Sequence, residues 1–253
     1  MTLMPTTSNS PAIGFGCMLK GFQLITQPRI RQYVLIPLLI NIVLFSLFFV
    51  LLWHQLEAVN LWLDGLLPTW LSWLQWLVKP ILFLLGFVIG LFSFAWVGNI
   101  IGGYFNGLLS LAVEQHLTGK HKQVDVSGSI LKQIGVEIGQ VLLKLRYSLA
   151  WLIIILIISF IPVVNLISPL LWFLYASWLL AFEYLENPMS NHGLNFIQTR
   201  QCIRQQRFLV FGFGSGAMLL MLIPLVNFFT MPAGVAGATY MWLNHFPQHE
   251  KED

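Results

Sequence analysis

Residues 28–53 read PRIRQYVLIPLLINIVLFSLFFVLLW, and their reading decides the fold. From position 34 to position 53 there are twenty residues without a charge, which matches the ~20 residues a helix needs to cross hydrocarbon. Arg29 and Arg31 stand just before this apolar run, and Pro28 precedes them. Pro is favoured at the first position of a helix, where its missing N–H would be unpaired anyway. The pattern predicts a helix that opens at Pro28, carries Arg29 and Arg31 in its first turn and enters lipid from Tyr33 on. Guanidinium groups beside unpaired backbone N–H groups suit a small oxyanion. They equally suit the basic flank that orients a membrane span, and these residues alone leave both roles open. Pro37, near the start of the run, either kinks the helix or is absorbed in its first turns.

Composition extends the membrane reading to the whole chain. Of 253 residues, 57% are hydrophobic and 9% charged, whereas a soluble domain carries roughly 25% charged residues. Ten Trp and twenty Phe exceed what one soluble core of this size needs. Residues 1–19 have no continuous apolar run and no basic start, so no secretory signal is expected there. A net charge of +3 is too small to suggest a nucleic-acid partner. Cys17 and Cys202 lie far apart and form no metal or redox motif, so both are expected to be packing residues or inert thiols.

No catalytic constellation, metal site or cofactor is expected. His245 and His249 are four apart, but Pro247 lies between them in a polar tail. Gly212-Phe213-Gly214-Ser215-Gly216 has no strand before it and no Lys after it. It reads as close helix packing rather than as a phosphate loop.

Outward from the opening stretch, residues 1–19 are expected to be frayed at first, with a short interfacial helix over 14–26. Residues 54–80 hold Trp62, Trp70, Trp73 and Trp76, with Pro68 and Pro80 as breaks, and read as an amphipathic segment in the far interface. A second span covers 80–101, with Gly86/Gly90 and Gly98/Gly102 at the spacing that lets helices approach closely. Residues 102–146 read as a cytoplasmic helical hairpin extension. It passes through Glu114 to a polar turn at 118–128, where Ser127 is the expected N-cap. An amphipathic helix follows, with Ile130, Leu131, Ile134, Ile138, Val141, Leu142 and Leu145 opposite Lys132, Glu137, Gln140 and Lys144.

Two broken hairpins complete the chain, at 147–185 and 208–243. The first breaks at Pro162, Asn165 and Pro169, the second at Pro224, Asn227 and Pro232. Their centres are related, Phe160-Ile161-Pro162-Val163-Val164-Asn165 against Leu222-Ile223-Pro224-Leu225-Val226-Asn227, a weak internal repeat of a kind common in transporters. Residues 148–161 are only 14 long, and runs of ~10–14 are more often re-entrant than spanning. The expected fold is therefore an all-α integral membrane protein. It has two long transmembrane helices (34–53 and 80–101), two Pro/Asn-broken re-entrant helical hairpins and a cytoplasmic helical extension. Of the twelve Lys and Arg before the C-terminal tail, eleven then fall on one side and only Lys79 opposite, which makes the basic side cytoplasmic. A six-span model with fully crossing hairpins gives the same sides.

Polar residues in lipid usually face a partner or a water path. Asn41, Asn99, Asn106 and Glu114 are accordingly candidates for a conduit, with helix capping as the equal alternative. Asn165 and Asn227 are read as caps at the hairpin tips. Arg200, Arg204 and Arg207 follow i, i+4, i+7 spacing on one short helix. They are read as contacts for lipid headgroups or, more sharply, as an anion vestibule.

Gly21, Pro28, Arg31, Pro37 and Asn41 stand at the spacing seen at the opening of the CysZ sulfate permease family of bacterial inner membranes, which this stretch resembles. The family has two adjacent Arg. Here Gln32 follows Arg31, and Arg29 supplies a second cation. Phe105-Asn106-Gly107-Leu108-Leu109 with Glu114 and Leu117-Thr118-Gly119 resembles a second family motif, Tyr104 replacing its Pro. Glu183-Tyr184, Pro188, Asn191-His192, Phe196 and Arg200 resemble a third. The resemblance implies a homo-oligomeric permease, embedded in the lipid bilayer, that takes up sulfate for cysteine biosynthesis. Sulfate would bind around Gly21, Pro28, Arg31 and Gln32, and the second cation, Arg29, is added to that site from its place in this sequence rather than from the resemblance. It also implies hemi-penetrating hairpins and protomers inserted in opposite orientations. Without a nucleotide-binding motif, no ATP hydrolysis is expected. The alternatives are a permease for another small anion or a membrane scaffold.

Overall fold

The computed structural model describes residues 9–66, 69–120 and 130–246. All regular elements among them are helices: α1 (Pro11–Ile25), α2 (Gln32–Leu66), α3 (Gln75–Thr118), α4 (Ile130–Ser159), α5 (Ser168–Asn191), α6 (Phe196–Gln205), α7 (Arg207–Met221) and α8 (Pro224–His245). Short 3-10 helices occupy Thr69–Leu74 and Val164–Ile167. Gln32–Gln55, Gln75–Thr118, Gly139–Ser159 and Val164–Asn191 are long and apolar enough to cross a membrane. The chain is thus an all-α, multi-pass membrane protein. It divides into two compact units, one of Tyr33–Phe105 and one of the residues before and after that stretch.

Within Tyr33–Phe105, an aromatic cluster joins α2 to α3. The Phe48 and Phe94 rings lie 4.8 Å apart. A Cβ on Gly90 would sit 2.1 Å from the Phe48 ring, so only glycine leaves room for it. Gly98 faces Asn41, whose Oδ1 would be 3.4 Å from an added Cβ. Outside this seam the apolar side chains point outward, as expected of helices whose solvent is lipid. The interfacial segment expected over 54–80 is instead the continuation of α2 to Leu66, a 3-10 helix and the start of α3. Pro37 and Pro80 lie inside helices rather than ending them. Each stands in the second turn, where one ladder bond is lost and the helix continues. Trp73 and Trp76 are exposed; Pro68 lies outside the described residues.

The other unit is built around α1. The expected interfacial helix is in fact a core helix, with Gly14, Cys17, Met18, Gly21 and Leu24 buried against α7 and α8. Backbones meet directly here. A Cβ on Gly14 would lie 1.9 Å from the Leu209 carbonyl oxygen, and one on Gly21 would lie 1.9 Å from that of Ala233. The contact is reciprocal, since a Cβ on Gly212 would lie 1.9 Å from the Pro11 carbonyl oxygen. Asn9, just before α1, accepts the Leu209 N–H through Oδ1 at 2.9 Å, satisfying a donor in the first turn of α7 that has no partner within the helix. Gly214 packs in the same way on the Ser177 carbonyl of α5. The Gly212–Gly216 stretch is thus the packing element that its apolar context predicted.

α4 is one continuous helix, so the expected extramembrane amphipathic helix and the first hairpin arm are a single element. Its orientation reverses the expectation where side chains are described. Val141, Leu142 and Leu145 are exposed, whereas Gln140 accepts the Phe196 N–H at 2.8 Å and Lys144 pairs with Glu186. In lipid the apolar face turns outward and the polar face inward, and the apolar span starts at Gly139. The N-cap expected at Ser127 lies outside the described residues. At the end of α3, Gly119 adopts a positive φ of 70°, the glycine stop that ends many helices. The end of α3 does not project freely either, because Leu109, Ser110 and Val113 are buried.

Three hydrogen bonds hold α4 antiparallel to α5. Trp172 Nε1–H donates to Ser159 Oγ at 3.2 Å, Tyr175 O–H to the Ser148 carbonyl at 2.8 Å, and Trp178 Nε1–H to Tyr147 Oη at 3.1 Å. The arms of this first hairpin offer spans of 21 and 28 residues, longer than the 14 expected, because α4 begins well before position 147. The internal repeat recurs in the backbone. Asn165 N–H donates to the Ile161 carbonyl at 3.0 Å and Asn227 N–H to that of Ile223 at 2.8 Å. The Asn side chains cap neither helix. α8 runs through Pro232, so the second hairpin breaks only before Pro224.

Gly14→Ala should destabilise the purified protein by about 1–3 kcal/mol, as overpacking does. Gly16→Ala, where nothing lies within 4 Å of an added Cβ, should be neutral or gain up to ~1 kcal/mol from helix propensity. Thermal unfolding in detergent compares the two.

Candidate functional site

The two opening arginines do not lie in the first turn of a helix. α1 ends at Ile25, α2 begins at Gln32, and residues 26–31 form a tight turn between them. The Gln27 carbonyl accepts N–H bonds from both Ile30 and Arg31 at 2.9 Å. Those two donors are therefore engaged, and the anion cradle expected from free N–H groups reduces to side chains. What positions them is Ile30, which is fully buried and pins the turn to the core. Arg29 and Arg31 are exposed on either side of it, as are Pro28 and Gln32. Neither arginine pairs with a carboxylate among the described residues. The preceding C-terminus of α1 favours positive charge there. Two neighbouring, unneutralised guanidiniums can grip an oxyanion through paired donors. Gly21 sits one and a half turns before this loop, at the α1–α8 contact, where packing alone demands glycine.

The four conduit candidates are not one cluster. Asn41 is half-buried beside Gly98, Asn99 is exposed and Asn106 is half-buried. Glu114 is buried, and its carboxylate lies 3.1 Å from His192 Nε2. Around this pair, Asn191 Nδ2–H donates to the Gly107 carbonyl at 3.1 Å, and Thr239 O–H donates to Ser110 Oγ at 2.9 Å. Residues 107–114 of α3 are thus braced by the end of α5 and by α8. His192, 78 positions from Glu114 in sequence, carries no spacing signal that would pair the two. Nor does spacing reveal the long-range partners of Asn9 and Gln140, the Leu209 and Phe196 N–H groups.

The basic stripe is not on one helix. Arg200 and Arg204 belong to α6, whereas Arg207 opens α7 after a turn at Gln206. The three nonetheless line one cavity of about 430 Å³. α6 begins with a capping box between Asn195 and Gln198, which fixes where its arginines emerge. Cys202, on the same helix, has its thiol pKa raised by burial, consistent with an inert residue. No group of His, Cys, Asp and Glu among the described residues could hold a metal ion.

Residues 17–232 match the family model described as sulfate transporter CysZ/etoposide-induced protein 2.4. A Pseudomonas aeruginosa protein named sulfate transporter CysZ is 38% identical over 244 residues, 95% of this chain and 96% of its own length. A Vibrio parahaemolyticus protein of the same name is 34% identical over 248 residues, 96% of this chain and 99% of its own length. One from Pseudomonas fluorescens is 37% identical over 228 residues. With the membrane fold and the Arg29–Arg31 turn in place, this similarity over nearly the whole length settles the family: the chain belongs to the sulfate transporter CysZ/etoposide-induced protein 2.4 family.

Proposed function

We propose that the protein is a permease that takes up sulfate across the bacterial inner membrane for sulfur assimilation, working as a homo-oligomer and catalysing no reaction. The observation that carries this is the near-full-length similarity to relatives named sulfate transporters. Sulfate binds first at the turn over residues 26–31, between the Arg29 and Arg31 side chains, with Gln32 beside them. Entry of an anion against a negative-inside potential is opposed by roughly 2.3 kcal/mol per charge per 100 mV. Uptake therefore relies on consumption of sulfate inside the cell or on a coupled ion.

Arg31→Ala should weaken sulfate binding about ten- to a hundredfold, the loss of one charge-assisted contact. Arg29→Ala should cost less, because Arg31 occupies the position shared with the family. Arg31→Lys should recover little, since an ammonium lacks the planar fork. Calorimetric titration at low ionic strength, with chloride as control, reads these values. Unchanged affinity in Arg31→Ala would refute the site.

Asn41, Asn99, Asn106 and Glu114 are each assigned a conduit role on their own element, Glu114 held there by His192. Asn106→Leu is expected to lower flux while leaving sulfate affinity and the amount of folded protein unchanged. An equal loss of folded protein would make Asn106 structural.

The second hairpin is assigned as re-entrant. α7 has 15 residues, about 22 Å at ~1.5 Å per residue, against a hydrocarbon core of ~30 Å. A cysteine at Asn227, in a single-orientation reconstitution, should react poorly with an impermeant reagent from the face opposite the arginines. Strong labelling there would mean full spans.

A further inference from the structure

We infer that the cavity between α4, α5 and the α6–α7 corner holds one acyl chain of an anionic phospholipid, with its phosphate on Arg200, Arg204 and Arg207. The inference rests on the membrane fold and is independent of the sulfate site. The wall of the cavity is apolar, formed by Trp151, Ile154 and Ile158 of α4 and by Leu171 and Leu174 of α5. The three arginines gather at one end. The Arg200 guanidinium lies 4.5 Å above the Tyr147 ring, a cation–π contact that fixes its place. Arg207 rests over the Phe208 ring at 5.0 Å.

Two observations select a lipid over a small soluble anion. The first is length. Along α4 the lining runs from Tyr147 to Ile158, roughly 16 Å at ~1.5 Å per residue, an apolar trough far longer than a small oxyanion. A free oxyanion would use only the arginine end and leave this apolar length unfilled. The second is charge. No acidic side chain lines the cavity, and none of the three arginines has a carboxylate partner among the described residues. A phosphodiester above an acyl chain matches both ends, and Arg is the side chain suited to phosphate. A net-neutral lipid would leave the positive charge unmatched.

Native mass spectrometry of the full chain in a neutral detergent tests this, with phosphatidylglycerol and phosphatidylcholine of equal chain length offered in competition. Wild type should retain phosphatidylglycerol in about tenfold preference. Arg204→Ala/Arg207→Ala alters two exposed side chains, so the fold should survive, and should lose most of that preference. Leu174→Trp should fill the cavity and reduce binding of both lipids, with helix content and elution volume unchanged. Equal retention of the two lipids by wild type would overturn the proposal, as would an unchanged preference in the double variant. It would also fail if free sulfate or glycerol phosphate displaced the lipid at matched concentration, which would make the arginines a soluble-anion vestibule.

Discussion

The direct contact of backbones between α1, α7 and α8 is the constraint on which one unit of the molecule depends. In lipid there is no hydrophobic gain from bringing apolar helices together, so association relies on close packing. Gly14 against the Leu209 carbonyl, Gly212 against that of Pro11 and Gly21 against that of Ala233 supply it. Each is a position where even one methyl group would enter a neighbour's backbone. The consequence reaches the arginines. α1 ends at Ile25, and fully buried Ile30 follows five residues on. The height and direction of α1 therefore set where Arg29 and Arg31 emerge.

A second constraint is the price of polarity in a membrane. Buried and half-buried polar groups that the sequence scatters over more than 70 positions meet in pairs: Glu114 with His192, Ser110 with Thr239, and the Gly107 carbonyl with Asn191. These pairs brace the end of α3. The same rule turns α4 around, with Gln140 and Lys144 inward and Val141, Leu142 and Leu145 outward.

Much of the fold was legible in the sequence. The two uncharged runs after Tyr33, the glycine stretch at 212–216 and the repeat around Asn165 and Asn227 all carry local signals of period, breakage or small size. The role of α1 was not legible, because a short stretch with scattered glycines and few charges reads alike for an interfacial helix and a core helix; only its neighbours decide. The face that α4 buries does not follow from its sequence, because an amphipathic pattern does not say whether water or lipid lies outside. At the site, the arginines were visible as cations before a span. The turn that holds them was not, since Pro28 signals a helix start and the true start, at Gln32, is set by the bonds to the Gln27 carbonyl.

The central claim is that this chain by itself moves sulfate across a bilayer. Uptake of radiolabelled sulfate into liposomes containing only the purified protein tests it most directly, at zero potential and at an imposed inside-negative potential. The account predicts saturable uptake above that of empty liposomes, slowed by the inside-negative potential if no cation is coupled. Uptake no greater than in empty liposomes, from protein that elutes as a folded species, would contradict it.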